Sequence, residues 1–216
     1  MRRVFVDPEA PQRDALQEAA KWIRTGGLVA LPTDTLYGLA ADPFCARAIR
    51  RVFAVKGRGS ERALPLIAAD FAQVTRDLGP LTALGARLAA RFWPGPLTLI
   101  VPASGAIAAD VTGGTGRVGV RVPDSLVARE ICRAAGQPVT ATSANRSGQP
   151  ATPDPGEVER TLGADVDLLI DAGTTPGGAP STIVDVCGER PALVRAGAIP
   201  WDDIQSWLLG STGPAA

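Results

Sequence analysis

Apolar positions along the chain change period repeatedly, and the changes lay out its elements. Leu16, Ala19, Ala20 and Ile23 recur at helical spacing, with Pro11 suited to a first turn and Gly26-Gly27 to a stop. Residues 28–31 are a short apolar run ending at Pro32, the pattern of a buried strand delivering the polar loop Thr33-Asp34-Thr35 and turn-compatible Gly38. Ala48, Ile49, Val52 and Phe53 form the next helical face, which Lys56-Gly57-Arg58-Gly59 ends. The alternation then predicts a strand over 64–68, a helix over 81–92, strands over 97–101 and 118–122, a helix over 125–135 and a strand over 139–142. A Pro/Gly-rich loop over 146–156 precedes a helix over 157–162, strands over 168–170, 182–186 and 192–194, and a final helix over 202–209. Helices interleaved with short apolar strands predict an α/β fold, a β-sheet flanked by helices. The late strands lack helices between them, so the sheet is expected to be mixed. Neither a repeat nor a long linker divides the chain, and 216 residues suit a single domain over 1–216 with a small, polar, flexible tail over 210–216.

Composition narrows the chemistry. The 22 basic and 22 acidic side chains cancel, so no overall positive field holds nucleic acid, and any RNA contact must come from a local patch. Histidine is absent, which removes the commonest general base, the Ser-His and Cys-His nucleophile pairs and imidazole metal sites. Cys45, Cys132 and Cys187 are odd in number and widely spaced, which fits core thiols in a reducing compartment rather than a disulfide framework or zinc site. The first residues hold only a three-residue apolar run, too short for a secretion signal, and no run approaches the roughly 20 apolar residues of a membrane span. A soluble, cytoplasmic protein is expected.

Four polar clusters stand at ends of expected strands or helices: Thr33-Asp34-Thr35 with Tyr37, Lys56 with Arg58, Ser143 with Asn145, and Ser181-Thr182 with Arg195 further on. Strand ends are where ligands usually bind in α/β sheets. Each cluster also has a plain reading. Lys56 and Arg58 suit a cation cap on a helix C-terminus; Ser143, Asn145 and the two threonines suit turns that bond their own backbone; Tyr37 suits half-buried packing. Only Lys21 and Lys56 among the basic residues are lysine, so a compact ammonium at 56 beside a planar guanidinium at 58 points to an anion such as phosphate or bicarbonate. Gly113-Gly114-Thr115-Gly116 lacks the phosphate-loop pattern and reads as a turn, and Phe92-Trp93-Pro94-Gly95-Pro96 reads as a packing stop.

In order, the segments PTDTLYGLAAD (32–42), KGR (56–58), LPLIA (64–68), WPGPLTLI (93–100), VGVRVPD (118–124), TSANRSGQPAT (142–152), STIVD (181–185) and VRAG (194–197) resemble the YrdC/Sua5 family of threonylcarbamoyl-AMP synthases. The resemblance implies a YrdC/RibB-like α/β fold, an open twisted mixed sheet flanked by helices with a large, positively lined concave cavity. It places Lys56, Arg58, Ser143 and Asn145 at the catalytic, nucleotide-binding and carboxylate-binding site, Arg195 near the phosphates, and Thr33, Thr35, Tyr37, Arg121 and Ser181 around the amino acid. It implies ATP as a substrate with Mg2+, L-threonine and bicarbonate as the other substrates, and no metal held by the protein's own residues. Gly59 departs from the proline that many relatives carry after Lys-x-Arg, Ala69-Asp70 stands where some have histidine, and the length resembles the single-domain form.

The implied reaction makes threonylcarbamoyl-AMP and pyrophosphate for N6-threonylcarbamoyladenosine at position 37 of tRNA, and hands the product to a threonylcarbamoyl transferase machinery. Positioning and charge stabilisation suffice for such a nucleotidyl transfer, which suits a chain without histidine. Two other readings are a non-catalytic double-stranded RNA-binding module using the same concave surface, and a carbamoyl-adenylating paralogue of the fold. A weak tRNA contact is compatible with the enzyme reading as well.

Overall fold

The computed structural model describes residues 1–57, 59 and 62–210; Arg58 and the tail beyond residue 210 lie outside the described residues. The elements run β1 (Arg2–Phe5), α1 (Arg13–Arg24), β2 (Val29–Leu31), β3 (Gly38–Ala40), α2 (Ala46–Lys56), β4 (Leu66–Ile67), α3 (Phe71–Leu78), α4 (Ala83–Phe92) and β5 (Leu97–Pro102). They continue with β6 (Arg117–Arg121), α5 (Leu126–Ala135), β7 (Val139–Thr140), β8 (Thr142–Ser143), α6 (Pro155–Leu162), β9 (Leu168–Asp171), β10 (Thr182–Asp185), β11 (Ala192–Arg195) and α7 (Trp201–Gly210). Side chains of Asp70, Thr82, Ser125 and Asp154 cap α3, α4, α5 and α6 by accepting from backbone N–H groups of their first turns, each worth about 1 kcal/mol. Gly57, in the left-handed region at φ 63°, stops α2 directly after Lys56.

The mixed α/β architecture expected from the sequence is present, with the strands divided between two mixed sheets rather than one. A five-stranded sheet has the order β1-β9-β2-β3-β8, in which β1, β9 and β2 are parallel and β3 and β8 antiparallel to their neighbours. A six-stranded sheet has the order β11-β10-β5-β6-β4-β7. The strand expected over 139–142 explains the division: β7 pairs with β4 in one sheet and β8 with β3 in the other. Between them the Ala141 N–H donates to Pro65 O at 2.8 Å, and the Thr140 N–H to Ala41 O at 3.0 Å. One short stretch therefore pins both sheets together.

Period-two alternation decides what each face meets. In β2, Val29 and Leu31 pack with α1 and α5, whereas Ala30 joins the core on the other side. In β5 and β6, Leu97, Leu99, Val101, Val118 and Val120 enter the core, which leaves Thr98, Ile100, Gly119 and Arg121 on the opposite face. Val184 and Ile183 of β10 divide in the same way. That opposite face of the six-stranded sheet is the wall of a cavity.

All three cysteines are free thiols; Cys132 is buried, which pushes its thiol up to about 12, and Cys45 and Cys187 are half-buried. Among the described residues no helix is long and apolar enough to cross a membrane.

Candidate functional site

The cavity measures about 650 Å³, inside the roughly 300–1,000 Å³ range of small-molecule sites. The six-stranded sheet supplies Thr98, Arg121, Ser181 and Arg195, and the five-stranded sheet supplies Ser143 and the β2–β3 turn carrying Thr33, Thr35 and Tyr37. Arg62 lines it too, and no aspartate or glutamate does among the described residues.

Of its three lining arginines, Arg121 and Arg195 are held by described hydrogen bonds. Arg121 ends β6, is 7% exposed, and donates from Nη1 to Asp34 Oδ1 at 2.6 Å. Burial lowers the pKa of its guanidinium, while the charge of Asp34 and the hydrogen bond to it act in the opposite direction. Arg195 ends β11 and donates from Nη2 to Ser181 O at 2.6 Å and to Ser181 Oγ at 3.1 Å. Burial lowers its pKa first and the charge of Arg121 second, so the two guanidiniums feel each other within one cavity. Arginine stays protonated under such pressure, and two adjacent planar forks suit carboxylate or phosphate.

Backbone crossing brings Arg195 to Ser181. The Ala198 N–H donates to Pro180 O at 2.8 Å, and a Cβ on Gly197 would lie 2.3 Å from that oxygen, so only glycine permits the approach. Ser181 Oγ also bonds Thr98 Oγ1 at 2.8 Å. Sequence reasoning did not single out Thr98; its signal was being the polar member of the apolar run 97–101, turned by alternation to the cavity.

The Lys56 and Ser-x-Asn motifs, which the resemblance alone brought together, are in contact. Lys56, 3% exposed, donates from Nζ to Ser143 O at 2.7 Å, Asn145 O at 2.7 Å and Asn145 Oδ1 at 2.6 Å, with Ser143 Oγ at 3.4 Å. Lys56 is the last-turn cation of α2, as the cap reading has it, but its buried ammonium holds a loop far away in sequence, which capping does not require. The turn reading of Ser143 and Asn145 is met locally: Ser143 Oγ donates to Asn145 Oδ1 at 2.6 Å. Ser143 lines the cavity, whereas Lys56 and Asn145 are not among its lining residues.

Thr33 and Thr35 are buried in the turn and their hydroxyls lie 3.1 Å apart; Thr33 Oγ1 also donates to Leu36 O at 2.7 Å. Tyr37 is 1% exposed and its hydroxyl donates to Gly173 O at 2.7 Å while accepting from the Ala172 N–H. Burial raises its pKa. Its ring lines the cavity and its hydroxyl braces the loop after β9, which is the packing role with a satisfied hydroxyl.

The Sua5/YciO/YrdC family model, described as telomere recombination, matches residues 21–197. This chain belongs to that family. A Sua5/YciO/YrdC relative from Pyrococcus abyssi, a threonylcarbamoyl-AMP synthase, is 37% identical over 187 residues, covering 87% of this chain and 55% of that protein. The threonylcarbamoyl-AMP synthase of Bacillus subtilis is 35% identical over 209 residues, covering 95% of this chain and 60% of the relative. That of Vibrio vulnificus is 38% identical over 185 residues, covering 84% of this chain and 98% of the relative. The chain thus spans little more than half of the first two and nearly all of the third. Among solved structures, P. abyssi Sua5 complexed with L-threonine matches with a TM-score of 0.90 at 34% identity, covering 95% of this chain and 60% of that one. E. coli YciO matches with a TM-score of 0.83 at 25% identity, covering 92% and 97%. Each sequence segment that carried the resemblance, apart from Arg58, therefore has a described place in a Sua5/YciO/YrdC fold, and most contribute to one cavity.

Proposed function

We propose that this chain condenses L-threonine, bicarbonate and ATP into threonylcarbamoyl-AMP and pyrophosphate. The observation that carries this is the grouping of Arg121, Arg195 and Ser143 on one cavity whose described lining holds no acid, in a family whose relatives bear that activity in their names. Such a cavity gathers anions, and this reaction brings together a carboxylate, a carbamate and a triphosphate.

The threonine amine captures CO2 derived from bicarbonate, forming a C–N bond and releasing a proton. The resulting carbamate oxygen attacks the α-phosphorus of ATP, and the bond to the pyrophosphate leaving group breaks. Arg121 takes the threonine carboxylate, with Ser181, Thr33 and Thr35 around the amino acid and Tyr37 as wall. Arg195 lies toward the phosphates. Ser143 meets the α-phosphate, and Lys56 acts there through its charge and by holding Ser143 and Asn145 in place; Arg58 belongs to the same group by motif. No covalent nucleophile is needed. Preorganised donors that meet charge where it develops supply the rate enhancement.

Among the described residues no cluster of three His, Cys, Asp or Glu could hold a metal. A Mg2+ accompanying ATP would be carried largely by the nucleotide's phosphates and would supply charge neutralisation there. The product is a labile mixed anhydride, suited to a downstream transferase acting on tRNA.

The test is mass spectrometry of a reaction with isotope-labelled bicarbonate. A product containing threonine, the labelled carbon and AMP supports the reading; AMP or ADP formation without labelled adduct sinks it.

A further inference from the structure

The mechanism above leaves Asp34 without a role, although the described cavity lining has no acid of its own and Asp34 contacts one of the lining arginines directly. It sits in the β2–β3 turn between the two cavity threonines, and its partner Arg121 lies on the other sheet. The pair spans the two sheets at 2.6 Å, and each side chain is 9% exposed. Asp34 Oδ1 takes this bond, while Oδ2 is buried with no hydrogen-bond partner among the described residues. A buried carboxylate oxygen left unpartnered costs stability, and buried ion pairs are poor devices for stability alone. What the pair does provide is direction: a hydrogen bond at one nitrogen of a buried guanidinium restricts its swing and biases where the remaining donors face.

We propose that Asp34 is a positioning residue for amino-acid binding, fixing the Arg121 guanidinium so that the substrate carboxylate meets a preset fork. This rests on the reading that Arg121 binds that carboxylate. Asp34 acts through Arg121 and touches no substrate atom. The acceptor geometry matters more than the negative charge, because Arg121 must neutralise the incoming carboxylate with Asp34 already beside it.

The test measures KM for threonine and for ATP in Asp34→Ala, Asp34→Glu and Asp34→Asn, with Arg121→Ala alongside. Losing a hydrogen bond to a charged group is worth about tenfold or more, so threonine KM should rise about tenfold in Asp34→Ala while ATP KM stays within about twofold. Asp34→Glu keeps the charge but moves the acceptor by one methylene, and should also raise threonine KM. Asp34→Asn keeps the acceptor and the size, and should restore threonine KM to within about threefold of the parent. If Asp34→Ala does not fold, the contrast between Glu and Asn decides alone. Rescue by Glu and not by Asn, equal rises for both substrates, or no rise in any Asp34 variant overturns the proposal. An Arg121→Ala variant with unchanged threonine KM overturns the underlying assignment of Arg121 instead, and with it the role of Asp34.

Discussion

Lys56 ends a helix, and a lysine there has an ordinary explanation as a C-terminal cation; the fold gives it a different one. Its ammonium is buried and surrounded by oxygens of Ser143 and Asn145, three of them within 2.7 Å. A guanidinium is wider and planar and does not fit a cage made for a compact three-donor group. Lys56→Arg is therefore expected to lose both turnover and stability, the latter by about 1–3 kcal/mol as an overpacked core substitution. Exposed Lys21→Arg should change neither, which thermal melts and product assays of both variants check. Asn145 supplies two of those oxygens, one from its side chain. Asn145→Ala should cut turnover about ten- to a thousandfold, the scale of losing one preorganised group. It should also cost about 1.5–3 kcal/mol, because a buried ammonium loses a charge-assisted acceptor. Unchanged turnover in a folded Asn145→Ala protein would leave Ser143 and Asn145 as turn residues only.

At the scale of elements, the longer amphipathic segments were legible because their period is local. The α1, α2, α4 and α5 helices and strands β2, β5, β6, β9 and β10 fall within a few residues of where apolar spacing puts them. The α3 helix was not legible: eight residues carry few repeats, and its start is marked chiefly by the Asp70 cap. Strand β3 was hidden by Gly38, which looks like a turn residue but lies buried in a strand, where a Cβ would meet Ala141 and Thr33 at 3.7 Å. The switch of residues 139–143 between sheets leaves no periodic signature, since it depends on partners distant in sequence. The same reason hid the Asp34–Arg121 and Ser181–Thr98 pairs, although Asp34, Arg121 and Ser181 were each recognisable in their motifs. Another long-range pair ties α2 to the five-stranded sheet: Arg51 donates to both oxygens of Asp167 at 2.8 and 3.1 Å, and the Leu28 N–H donates to Oδ2 at 2.7 Å. Burial alone would raise the Asp167 pKa, but Arg51 and the Leu28 amide outweigh it, so the folded-state value lies below the ordinary one. A depressed carboxylate binds fewer protons folded than unfolded, so its contribution is present above the ordinary aspartate range near 3.9 and is lost as pH falls below it. Asp167→Asn should accordingly be less stable at neutral pH and flatten the acid limb of the stability curve. Parallel acid limbs for the two proteins would show that this pair does not carry the dependence.

For the whole molecule, a chain of zero formal net charge gathers three of its arginines on one cavity. Alternation turns one face of the six-stranded sheet toward a cavity, the 139–143 crossover joins it to the other sheet, and Arg121 and Arg195 line it with no acid among its described lining residues. Under the proposed reading, charge placement would do the catalytic work of a nucleotidyl transfer, which suits a chain lacking histidine. In the proposed reaction the carbamate of threonine is the nucleophile toward ATP. Pyrophosphate release from MgATP, measured with threonine and bicarbonate each omitted in turn, tests it most directly. Release is expected only when both are present, with near-background rates when either is missing; equal release without threonine or without bicarbonate would rule the carbamate out as nucleophile.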